Sequence, residues 1–77
     1  MNKTQNAYSG VLKKLRKDKG LTVERLSNLS DISKRTIERA ESGTHEPHMY
    51  TLNKILPILD TTVEEYYDLL WGRYEIV

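Results

Sequence analysis

Seventy-seven residues are enough for one domain with a small core, since a chain this short buries only about 60% of its unfolded surface. There is no cysteine, which excludes disulfide cross-links and thiolate metal sites and fits a reducing, cytoplasmic setting. The net charge of +1 hides a strong asymmetry: Met1 to Arg39 carry ten Lys or Arg against four acids, net +6, and Ala40 to Val77 carry two against seven, net −5. Such a division implies one face for a polyanion and another turned away from it.

No apolar run approaches the ~20 residues that span a bilayer, and no apolar stretch follows the first six residues, so neither a membrane partner nor a signal peptide is expected. The expected organisation is a single all-α domain of five helices, with its core over residues 6–71 and a tail over 72–77.

The first helix is predicted from about Asn6 to Lys19. Tyr8, Val11, Leu12 and Leu15 make its apolar stripe, with Lys13, Lys14, Arg16 and Lys17 mostly opposite. Gly20 suits the left-handed position just past the helix end. Thr22 reads as the N-cap of a second helix, with Glu24 in its first turn, Leu26 and Leu29 as anchors and an end near Ser30. Asp31 tolerates a left-handed turn, and Ser33 then caps a third helix through about Ser42, closed by Gly43.

A fourth helix is predicted from Tyr50 to Leu59, striped by Leu52, Ile55, Leu56 and Leu59. Pro57 should kink it or end it early. Thr62 and Glu65 form a capping box for a fifth helix to about Trp71, where Gly72 is expected to stop it.

Residues 22–42 carry the functional signal. Two short helices joined by about three residues make a helix-turn-helix, whose crossing of roughly 90–120° needs a small residue at the close approach, a turn residue tolerant of positive φ and an apolar lock. Ser27, Asp31 and the set Leu26, Ile32, Ile37 and Ala40 supply these.

The ordered fragments Leu12-Lys13-Lys14-Leu15-Arg16, Lys19-Gly20-Leu21-Thr22, Glu24-Arg25-Leu26-Ser27, Ile32-Ser33, Thr36-Ile37, Arg39, Glu41-Ser42-Gly43 and Pro47, with Leu52, Ile55 and Leu59, resemble the phage-repressor helix-turn-helix family, the XRE or Cro type. The resemblance covers about Tyr8 to Tyr67. It implies a transcriptional regulator, most simply a repressor, that binds double-stranded DNA.

By position, the resemblance places Ser33, Lys34, Arg35 and Arg39 at base-reading sites. The chemistry agrees, since helix N-termini of this kind enter the major groove and Arg binds guanine O6 and N7 bidentately. Thr22, Val23, Ser42, Thr44 and His45 match positions near phosphates, and Lys13 and Lys17 are expected to add phosphate contacts. Two departures stand out: Val23 replaces a Gln that in the family often bonds a phosphate, and Asp31 replaces the turn's usual Gly. Arg16 and Glu41 match a pair that often forms a partly buried salt bridge.

Tyr66, Tyr67, Leu70 and Trp71 concentrate bulk in the last helix, and the resemblance implies dimerisation near this end. A two-fold dimer would read a palindromic operator with its two recognition helices roughly 34 Å apart. The alternative is an antitoxin-like or anti-repressor-like interaction module that uses the acidic, aromatic C-terminal half.

Two other clusters have simpler structural explanations. His45-Glu46-Pro47-His48 lacks helical ligand spacing and a third strong ligand, so no metal and no cofactor is expected. Glu64 and Glu65 suit a helix first turn better than acid–base catalysis. With no glycine-rich phosphate loop and no nucleophile–base motif, the chain is not expected to be an enzyme.

Overall fold

The computed structural model describes residues 10–43 and 46–76, the side chains of 73–76 apart. Among the described residues there are five helices and no strand: α1 (Val11–Asp18), α2 (Val23–Ser30), α3 (Lys34–Ser42), α4 (Met49–Ile55) and α5 (Val63–Ile76). None is long and apolar enough to cross a membrane.

Four helix ends close on a left-handed residue, Gly43 (φ 81°) after α3 among them. Gly20, at φ 72°, closes α1: the Leu21 N–H donates to the Arg16 carbonyl (3.1 Å) and the Gly20 N–H to the Lys17 carbonyl (2.9 Å), the Schellman pattern. Asp31, at φ 62°, closes α2 with a single bond from its N–H to the Ser27 carbonyl (2.9 Å). Asp60, at φ 55°, ends the turns after α4, with Thr61 N–H to Leu56 carbonyl (3.0 Å) and Asp60 N–H to Pro57 carbonyl (3.1 Å). Helix starts are capped as expected: the Thr22 hydroxyl accepts from Arg25 N–H (3.0 Å) and the Ser33 hydroxyl from Thr36 N–H (3.2 Å). At α5, Thr62 and Glu65 exchange reciprocal bonds of 2.9 and 3.0 Å.

The left-handed conformation costs an ordinary L-residue about 1–2 kcal/mol, and Asp tolerates it better than most. Asp31→Ala is therefore expected to lower unfolding stability by about 1 kcal/mol, and Asp31→Gly to leave it unchanged or raise it. Urea unfolding of the two variants checks this; equal loss in both would show that the aspartate side chain, not the backbone geometry, matters.

One core joins the helices: Val11 and Leu12 of α1, Leu26 of α2, Ile32 of the turn, Ile37 and Ala40 of α3, Leu52, Ile55, Leu56 and Leu59 from the α4 region, and Tyr66 and Leu70 of α5. α3 packs on both α1 and α2, α4 on α2, and α5 on α1. The most sequence-local contact, α2 on α3, is the helix-turn-helix itself.

Four sequence expectations change. Gly10 sits at φ 90°, ahead of Val11, so no continuous helix runs from Asn6; Tyr8 lies outside the described residues. Leu29, expected as an anchor of α2, is about half exposed, because α2 is covered by α3 and α4 along the Leu26 side. α4 ends at Ile55, two residues before Pro57, and tighter turns carry the chain on, keeping Leu59 buried. α5 runs through Gly72 to Ile76, so 72–76 are not a frayed or extended tail. Gly72 lacks a positive φ, and a glycine in a running helix costs only about 1 kcal/mol, less than a started helix needs to stop.

Candidate nucleic-acid interface

The turn between α2 and α3 is built from serines. The Ser27 hydroxyl donates to the Ile32 carbonyl (2.6 Å), and the Ser30 hydroxyl accepts from the Ile32 N–H (3.2 Å). Both backbone groups of Ile32 are thereby satisfied while its side chain enters the core. Ser27 thus does more than leave room for a close approach. Ser30, which the sequence reading treated only as a helix end, is buried and holds the turn.

α3 is seated by Ile37 and Ala40, and residues 35, 38, 39 and 42 fall opposite them at 3.6 residues per turn, with Lys34 on the flank. Lys34, Arg35, Glu38, Arg39 and Ser42 are all exposed. Lys34, Arg35 and Arg39 have no ion pair or side-chain hydrogen bond among the described residues. The structure thus brings together three of the four predicted base-reading side chains on one outward surface, as unengaged cations. The fourth, Ser33, is committed to the helix: beside its cap, its hydroxyl donates to Thr36 Oγ1 (2.9 Å). Glu38 was absent from the predicted set. Its spacing of three from Arg35 and four from Lys34 was the signal for it.

The predicted phosphate contacts separate. Lys13 and Lys17 lie one turn apart on α1, exposed and outside any ion pair among the described residues, whereas Lys14 pairs with Asp18 (3.2 Å). Lys19 pairs with Asp60. Thr22 is exposed at the start of α2. Val23 is half-buried against the core, and its side chain has no hydrogen-bonding group. The Ser42 hydroxyl donates to the Arg39 carbonyl (2.8 Å). Thr44 and His45 lie outside the described residues, as does any ligand set built on His45.

Beneath the exposed face, Arg16 and Glu41 form a two-pronged ion pair, Nε to Oε2 at 2.7 Å and Nη2 to Oε1 at 3.1 Å. Both side chains are more than nine-tenths buried. Arg16 Nη1 also donates to the Leu21 carbonyl (2.8 Å). One guanidinium therefore fastens α1, the α1–α2 linker and the end of α3 together.

At the other end, the aromatic set divides. Tyr66 and Leu70 are enclosed in the monomer core and are not available as a dimer surface, which corrects the expectation for those two. Tyr67 is half-buried, edge-on to Tyr66 with ring centroids 5.2 Å apart. Trp71 and Leu69 are about half exposed.

Residues 12–66 match a family model described as helix-turn-helix. No curated protein and no solved structure matches the chain.

Proposed function

Because the chain belongs to the XRE-type helix-turn-helix family of DNA-binding transcription regulators, we propose that it binds duplex DNA sequence-specifically, with the N-terminal half of α3 in the major groove, and acts as a repressor. One observation carries the reading: on α3 the single inward acid, Glu41, is locked to Arg16, while Lys34, Arg35 and Arg39 stand exposed without partners among the described residues. Arg35 and Arg39 read guanine edges and Lys34 a neighbouring base or phosphate. Ser33 sets the start of the helix. Lys13, Lys17, Thr22 and the backbone of Val23 position the duplex through phosphates, with Ser42, Thr44 and His45 at the far end of α3.

The protein works as a two-fold dimer on a palindromic operator, through an α5 surface of Trp71, Tyr67 and Leu69. The half-exposed Trp71 and Leu69 support this, since they remain outside after the core is complete. The interaction-module alternative rests on the same two residues and has no separate observation.

Selection of bound sites from a random DNA pool tests the function, and an inverted repeat with half-sites about one helical turn apart is the expected result. Within the selected site, Arg35→Ala is expected to flatten discrimination at one base pair by about 1–3 kcal/mol. Lys17→Ala is expected to weaken all sequences alike and to reduce the salt slope by about one. Equal weakening of every sequence by Arg35→Ala would assign that residue to phosphate.

A further inference from the structure

Four charged side chains on the outward surface of α3 have no ion pair or side-chain hydrogen bond among the described residues: Lys34, Arg35, Glu38 and Arg39. Three are cations, as a surface facing a polyanion requires. Glu38 is the exception. A carboxylate there opposes binding to every DNA sequence, because it meets the phosphate field with the wrong sign.

Nothing among the described residues accounts for it. Glu38 lies in the middle of α3, beyond the first turn where the helix dipole favours an acid. It caps no backbone group. Lys34 precedes it by four residues, the weaker order for a helical ion pair, and no such pair forms.

We infer that Glu38 is a specificity-determining residue of the DNA-reading surface, its carboxylate accepting a hydrogen bond from the N4 amino group of a cytosine in the major groove. The inference rests on the DNA-binding reading above. An ionised carboxylate is an acceptor only. Cytosine offers an amino donor at its major-groove edge; guanine offers two acceptors, thymine an acceptor and a methyl, and adenine a donor beside an acceptor. Glu38 therefore admits cytosine and repels guanine and thymine at one position, which is discrimination by exclusion as much as by attraction. Arg35 and Arg39, its neighbours on the surface, bind guanine and hold the local field positive, so the acid is tolerated where the matching base is present.

The test is site selection from a random DNA pool with the parent protein, Glu38→Gln and Glu38→Ala, with the affinity of each for a mixed non-cognate duplex. The parent should show a cytosine at one half-site position, preferred about tenfold. Glu38→Gln should shift that position towards adenine, because an amide bonds adenine N6 and N7 together. Glu38→Ala should leave it without preference, and both variants should bind the non-cognate duplex more tightly. Glu38 is exposed, so both variants should keep the parent's melting curve. An unchanged motif in both variants, with affinity raised equally on all sequences, overturns the inference and leaves the DNA-binding reading standing. A parent protein that selects no motif overturns that reading, and this inference with it.

Discussion

Glu41→Ala is expected to lower the melting temperature by at least about 10 °C, read by circular dichroism. The substitution leaves the Arg16 guanidinium charged inside the protein, with the Leu21 carbonyl as its remaining hydrogen-bond partner among the described residues. Removing one partner of a buried pair costs about 3–5 kcal/mol. For a domain of this size each kcal/mol is worth about 4–8 °C, and total stability is of order 5–15 kcal/mol, so the loss is a large share of the whole. Replacing both partners, Arg16→Met with Glu41→Leu, should recover much of it, because no stranded charge remains. The effect belongs to the frame and not to the reading surface. Well below its melting point, Glu41→Ala should therefore select the same DNA motif as the parent. A melting curve within about 2 °C of the parent would show that the pair contributes little.

Tyr66→Ala should be at least as damaging. The Tyr66 side chain is fully enclosed, and truncating a large buried aromatic costs about 3–5 kcal/mol. In a small domain this cavity lies where α5 closes over α1, so partial or complete unfolding at 25 °C is expected. Trp71→Ala, five residues further along the same helix and half exposed, should keep the fold and weaken self-association instead. Melting curves with sedimentation of both variants distinguish the two roles. A Tyr66→Ala protein that stays folded but becomes monomeric would return Tyr66 to the dimer surface.

These two residues mark the limit of what the sequence made legible. The periodicity of α5 shows that it is rich in aromatic and apolar bulk. It does not show which of Tyr66, Tyr67, Leu70 and Trp71 faces inward, because almost every turn of the helix offers an apolar choice. Leu29 failed for a related reason: it stands one turn after Leu26, yet α3 and α4 cover only part of α2. Asp60 carries no such signal in the sequence, where Pro57 is the visible break, although it takes the same left-handed conformation as Asp31. On the reading surface, Lys34, Arg35 and Arg39 were legible from the resemblance and from their spacing. Glu38 was not legible, because in the sequence an acid between basic residues reads as a solvated helix charge, and only the structure shows it exposed without an ion pair among the described residues.

By itself the sequence determined the five-helix class, the caps at Thr22, Ser33 and Thr62, the turns at Gly20, Asp31 and Gly43, and the family. All but the family are set by a residue and its neighbours within about four positions, where backbone sterics and i to i+4 hydrogen bonds act. The tertiary structure alone decided how deeply Arg16 and Glu41 are buried together, which aromatics close the core and which exposed charges on α3 have no partner. Those outcomes depend on elements far apart in the chain meeting in space, and burial, which sets the worth of a charge or a ring, exists only once they have met.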